Sequence, residues 1–272
     1  MHKLARKVRF SINPFLPADS KGFNSYTSEP SGEGLAIFLE LAVELTGEVE
    51  PATGFVVNVV DIDKHVREHI VPLFSERIKE YFRQARHIGL WDLAELLKTG
   101  WGRLAASFEP ARLSGLTLAL NPFRKIAVDR KNCKMIYFSE KFEFAATHQL
   151  WNYEFSNEQN LQFFGKCANP AGHGHNYILE ITVKIQTGGK DFRIADFEET
   201  VSNEVINLLD HKNLNAEVAE FSRTNPTVEN IAVFVWEKIV GKFSQAKLHC
   251  VTVWETDKTY CSYYGPQAKA SI

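Results

Sequence analysis

The sequence predicts an α+β protein built from two tandem copies of one unit, each an antiparallel four-stranded sheet with two helices on one face. Three observations point there. Residues 30–45 (PSGEGLAIFLELAVEL) and 170–185 (PAGHGHNYILEITVKI) are related by a constant offset of 140. In that alignment Pro30/Pro170, Gly32/Gly172, Gly34/Gly174, Leu39/Leu179, Glu40/Glu180 and Val43/Val183 are identical, and the apolar alternation runs in phase. Residues 116–130 and 251–265 resemble each other as strand pairs that close each half, and the sequence between switches to helical spacing. A duplication with its boundary near 130 to 136 accounts for all three and divides the chain into 1–133 and 134–272.

Each element has its own signal. The repeated segments read as strands entered through a glycine-containing turn. In the first half Ile62, Val66 and Ile70 recur at helical spacing, and further helical sequence runs from about Ser75 to Phe108. In the second half Phe197, Val201, Val205 and Leu208 mark one helix. A second helix presents Ile231, Phe234, Val235 and Ile239 on one face, with Asn225 as cap, Pro226 in its first turn and Gly241 as its stop.

Bulk properties narrow the function. The 272 residues are 44% hydrophobic and 24% charged, with a formal net charge of -2, the profile of a soluble globular chain. No broad positive field exists to hold a nucleic-acid backbone. Cys133, Cys167, Cys250 and Cys261 are too few for a disulfide-stapled scaffold, which favours reduced thiols in a cytoplasm. The basic N-terminus has no apolar run behind it, and no window has the length of a membrane span, so the expectation is an unprocessed cytoplasmic chain without membrane or nucleic-acid partners.

The chemistry concentrates in the second half. His148 falls in phase with Phe142, Phe144 and Ala146 on a predicted strand, and His173 and His175 follow in GHGHNY. Residues two apart on a strand project from one face, so both imidazoles of H-G-H can reach one ion, with His148 delivered from the paired strand. Three imidazoles leave a fourth position open, the arrangement of catalytic zinc. On their own the same histidines equally fit hydrogen-bonded structural roles.

FGKCANPAGHGHNY (164–177), LDHKNLN (209–215), NPTVEN (225–230) and VWETD (253–257), in this order, resemble the signature blocks of the 6-pyruvoyl tetrahydropterin synthase family. The resemblance covers about the last half of the chain, roughly Ile136 to Pro266. It implies a T-fold-like unit that binds Zn2+ through His148, His173 and His175. It also implies Cys167 as the proton-abstracting base, assisted by Asp210 and His211, and Glu255 as the pterin anchor, with Thr227 and Glu229 near the substrate. The implied reaction converts 7,8-dihydroneopterin triphosphate to 6-pyruvoyl tetrahydropterin with loss of triphosphate. Two alternatives are 6-carboxy tetrahydropterin synthase, on the queuosine route, and a zinc and pterin binding protein without catalysis. Five residues between Cys167 and His173 favour the pyruvoyl synthase, and an intact Cys167 argues against the inert protein.

These roles have independent physical grounds. A carboxylate such as Glu255 accepts two N–H donors from the amino-pyrimidinone edge of a pterin, zinc acidifies a C–H beside the oxygen it polarises, and a nearby thiolate takes the proton. Alone, Cys167 also reads as a buried thiol, Asp210 and His211 as a solvated helix end, and Thr227 and Glu229 as a helix cap and first-turn acid.

In the first half Glu33 and Leu35 stand for His173 and His175, Thr27 for Cys167, Pro14 for His148, and Asn121-Pro122 for Glu255-Thr256, so one zinc per chain is expected. His65-Val66-Arg67-Glu68-His69 matches the H-x-x-E-H metalloprotease pattern, but no third ligand is indicated, and a solvated helix face accounts for it. In the family resemblance, single repeats join their sheets into a barrel in an oligomer. The two-repeat chain is then expected to form a homo-oligomer, a trimer of six repeats, with the first repeat as scaffold.

Overall fold

A computed structural model of the chain describes residues 1–15, 24–130, 135–186 and 192–266. The chain divides into two compact units, Met1–Phe138 and Ser139–Ile272. The expected boundary between 133 and 134 lies outside the described residues, as does Cys133. The fold is α+β with antiparallel sheet, and no helix among the described residues is long and apolar enough to cross a membrane.

The first unit runs β1 (His2–Ile12), β2 (Ile37–Gly47), α1 (Val59–His65), a π-helical turn (Val66–Ile70), α2 (Val71–Arg83), α3 (Leu90–Leu104), β3 (Arg112–Asn121) and β4 (Arg124–Asp129). Its strands pair antiparallel in the order β1-β2-β3-β4. Period-2 alternation puts Phe10, Leu41, Val43, Leu116, Leu118 and Ile126 in the core, and helical spacing buries Ile62, Val66, Ile70, Phe74 and Ile78. Phe10 and Phe74 meet edge to face at 6.1 Å, one of the contacts joining sheet to helix.

The second unit contains most of β5 (Met135–His148), then α4 (Asn157–Phe164) and a 3₁₀ turn (Gly165–Ala168) before β6 (His173–Gln186). There follow α5 (Ile194–Val201), a π-helical turn (Ser202–Ile206), α6 (Asn207–Leu209), the two-residue β7 (Lys212–Asn213), α7 (Leu214–Glu217) and a 3₁₀ turn (Ala219–Phe221). The unit closes with α8 (Val228–Ile239), β8 (Lys247–Thr256) and β9 (Thr259–Tyr263). Its strand order is β5-β6-β8-β9, and β7 pairs parallel with β5.

Both units therefore share the order of strands, and each places a π turn inside its first long helix. The glycines of the repeat differ in use. Gly32 and Gly172 both have positive φ, 60° and 70°, and a Cβ on Gly172 would come within 3.0 Å of the His148 carbonyl, so this turn needs glycine. Gly34 keeps φ 71° in a loop, whereas Gly174 lies inside β6, because β6 begins at His173 and β2 only at Ile37.

Three expectations shift, and helix α4 is an addition to them. The buried residue ending the first helical stripe of the second unit is Leu209, not Leu208, which is 41% exposed. The π turn holds an extra residue per turn and rotates the apolar face by one position. Helix α8 starts two residues later than expected: Thr227 is the N-cap, its Oγ1 accepting from the Asn230 amide, while Asn225 Oδ1 accepts from the Trp151 amide. Helix α4 has no apolar periodicity, with only Asn160 buried, and its signal is the Ser156 and Gln159 capping box. Finally, the pairing register slips between Trp254 and Thr256 and equally between Ala119 and Asn121. The counterpart of Glu255 on the matching bulge is thus Leu120 rather than Asn121.

Candidate metal centre and family

The site is assembled at the end of β5 and the start of β6. On β5 the alternation that buries Phe144 and Ala146 brings His148 inward, to 1% exposure. On β6, His173, His175 and Tyr177 fall on one face by the same period, with Tyr177 fully buried and stacked on Phe144 at 4.9 Å. The three imidazoles converge, with ring centroids 4.5 to 5.2 Å apart.

The tautomer of His148 follows from its partner. Its Nδ1 lies 2.8 Å from the Pro226 carbonyl, which only accepts, so Nδ1 carries the proton and Nε2 presents a lone pair. That Nε2 is 3.2 Å from His173 Nε2, close to the separation of about 3.4 Å between two ligands of a tetrahedral ion with bonds near 2.0 to 2.1 Å. His175 Nε2 and His173 Nδ1 are buried without hydrogen-bond partners among the described residues. Burial pushes the pKa values of His148 and His175 below the ordinary imidazole value, Glu255 opposing it in both, which favours neutral rings with free lone pairs. A three-nitrogen donor set with orphaned nitrogens fits zinc with one position open.

Glu255, on the β8 bulge, closes the site from the third strand. Its Oε1 is 3.5 Å from Nε2 of both His148 and His175, and its side chain is 22% exposed, open enough to meet a ligand. Cys167 sits in the 3₁₀ turn beside the end of β5, where its carbonyl accepts from the Leu150 amide at 2.8 Å. Burial, and then the charge of Glu255, push the Cys167 thiol up, so it is protonated at neutral pH in the metal-free chain.

Asp210 and His211 lie elsewhere. Their segment runs into β7, on the side of β5 away from β6, where Asp210 Oδ1 accepts from the Ala145 amide at 2.9 Å and the His211 amide donates to the Ala145 carbonyl. Asp210 Oδ2 and His211 Nδ1 are 2.9 Å apart, and His211, at φ 57°, is 81% exposed. The backbone amide and His211 hold the Asp210 carboxyl below its usual range. His211 lines a cavity of about 630 Å³ that also touches Thr147 and His175. Among the described residues neither side chain bonds to Cys167. Thr227 caps α8 immediately after Pro226, and Glu229 is exposed in the first turn.

Two supports of the site escape inspection of motifs: the Pro226 carbonyl, which has no side-chain signal, and Tyr177, which the period of H-G-H-N-Y does place on the histidine face. In the first unit Pro14 follows the end of β1, and Thr27, Glu33 and Leu35 precede β2, without histidine or cysteine at these positions.

Fold and site together describe an α+β unit that gathers three histidines and a strand glutamate, with a cysteine in the turn beside them. Residues 137–266 match the family model described as 6-pyruvoyl tetrahydropterin synthase. The human 6-pyruvoyl tetrahydrobiopterin synthase is 37% identical over 130 residues, 47% of this chain and 90% of the human protein. The solved Caenorhabditis elegans 6-pyruvoyl tetrahydropterin synthase is 32% identical, with a TM-score of 0.45, over 48% of this chain and 96% of that one. The 6-carboxy-5,6,7,8-tetrahydropterin synthase of Aquifex aeolicus is 25% identical over 156 residues, 46% of this chain and 95% of its own. The chain belongs to the 6-pyruvoyl tetrahydropterin synthase family.

Proposed function

We propose that the second unit converts 7,8-dihydroneopterin triphosphate to 6-pyruvoyl tetrahydropterin, with release of triphosphate, at a zinc site formed by His148, His173 and His175. The observation that carries this reading is the 3.2 Å approach of two Nε2 atoms, one with its lone pair aimed inward by the Pro226 carbonyl. Bound zinc would polarise side-chain oxygens of the substrate and acidify the adjoining C–H. Glu255 accepts two N–H donors of the pterin edge and orients the ring. Cys167 takes the proton as a thiolate, which its raised pKa makes scarce until positive charge stands nearby. Thr227 and Glu229, at the start of α8, border the substrate. The higher identity to pyruvoyl synthases favours this product over the 6-carboxy one.

The exposure of His211 and its place across β5 support a relay that works where units of neighbouring chains meet. In that arrangement 1–133 is a T-fold-like scaffold and 134–272 the catalytic unit. The sheets join into a closed barrel, three chains supplying six units, so that β1 and β9, each paired on one side, lose their free edges. Chelator-stripped protein should fail to consume 7,8-dihydroneopterin triphosphate and recover on adding zinc. Full turnover without metal would overturn the reading.

A further inference from the structure

The motif His65-Val66-Arg67-Glu68-His69 belongs to the first unit and plays no part in the site above. A solvated helix face is the reading of its sequence, yet the structure gathers its three side chains. One ligand atom each from His65, Glu68 and His69 lies within 4.8 Å of the others. The two imidazoles are stacked, with centroids 5.7 Å apart and planes at 25°, and Phe108 packs edge-on against His65 at 5.5 Å. His65 Nδ1 is buried without a hydrogen-bond partner among the described residues.

We propose that His65, Glu68 and His69 form a second metal site, which takes a divalent ion of the zinc class through two imidazole nitrogens and one carboxylate oxygen. Residues three and four apart share a helix flank, and the π turn Val66–Ile70 carries two of the three ligands. Two nearby cations are engaged elsewhere: Arg67 bonds the Glu29 carbonyl, and Arg103 donates to the His69 carbonyl at 3.0 Å. Glu68 is exposed, and among the described residues no hydrogen bond or ion pair engages its carboxylate, so it is free to turn inward. A tetrahedral ion needs donors about 3.4 Å apart, a distance that side-chain rotation supplies. Packing does not require this set. Matching the buried Ile62, Val66 and Ile70 to Phe197, Val201 and Val205 of the second unit puts Thr200, Asn203 and Glu204 at the corresponding positions. Two nitrogens, one oxygen and an open fourth position suit zinc, which binding would couple to the stability of the bulged helix.

Full-length protein stripped of metal and titrated with Zn2+, or with Co2+ followed by its visible absorption, tests the site. Wild type should saturate at two equivalents, and His65→Ala/His69→Ala at one, without loss of affinity for the first. The triple variant His148→Ala/His173→Ala/His175→Ala should also bind one. Glu68→Gln, on an exposed position, should weaken the second event by about tenfold or more. Saturation of wild type at one equivalent, two equivalents in the double variant, or unchanged second-site affinity in Glu68→Gln would each overturn the proposal.

Discussion

Glu255→Gln separates substrate anchoring from chemistry. The carboxylate faces the histidine cluster from the β8 bulge, no lysine or arginine pairs with it among the described residues, and its 22% exposure leaves it accessible to ligand. In the proposed role it would accept two N–H donors of a pterin edge. The glutamine amide keeps one oxygen but sets its own NH2 against the second donor, so a charge-assisted bond is lost and a donor is left unmatched. Hydrogen bonds to a charged group contribute about 1.5 to 3 kcal/mol, which corresponds to roughly 12- to 160-fold in Kd. The assay is equilibrium titration of zinc-loaded protein with the substrate in a Cys167→Ala background, where no turnover consumes the ligand. A Kd within twofold of the parent would refute the anchoring role, because a carboxylate that forks two donors cannot be neutralised without cost.

Cys167→Ala should abolish turnover and leave zinc and pterin affinity intact, and a variant with parental rate would remove the thiol from the reaction. In the metal-free chain the Cys167 pKa is raised by burial and by Glu255. Alkylation of its peptide, followed by mass spectrometry, should therefore keep accelerating above the ordinary thiol range. Glu255→Gln should shift that profile to lower pH, since removing a negative charge favours the thiolate. Thr227→Ala removes an N-cap with a long 3.4 Å bond, so denaturant unfolding should show a loss near the low end of the usual cap, about 0.5 to 1 kcal/mol; no loss would deny the cap. Light scattering should give an oligomer with the mass of three chains, and a fully active monomer would defeat the assembly proposed above.

Much of the fold is legible in the sequence because strand alternation needs only local information. The offset of 140 aligns strands β2 and β6, and the same period that buries Phe144 and Ala146 carries His148 inward. The H-G-H spacing likewise puts His173 and His175 on one face, with Tyr177 beneath them. What escapes is decided by backbone geometry. A π turn has no residue signature, so the stripe through Phe197, Val201 and Val205 ends on Leu209 instead of Leu208. Asn225 and Thr227 are both good caps, and the choice falls to Thr227 because Asn225 is taken by the Trp151 amide, a contact distant in sequence. The orienting acceptor for His148 is a main-chain carbonyl, which no motif records. Asp210 and His211 lie within a signature block in sequence but across β5 from the histidine cluster in space, a consequence of the short parallel strand β7.

Product identity tests the central claim most directly. Zinc-loaded full-length protein incubated with 7,8-dihydroneopterin triphosphate, and analysed by mass spectrometry, should yield 6-pyruvoyl tetrahydropterin and free triphosphate. A 6-carboxy tetrahydropterin product, or unchanged substrate with zinc bound at His148, His173 and His175, would contradict the account.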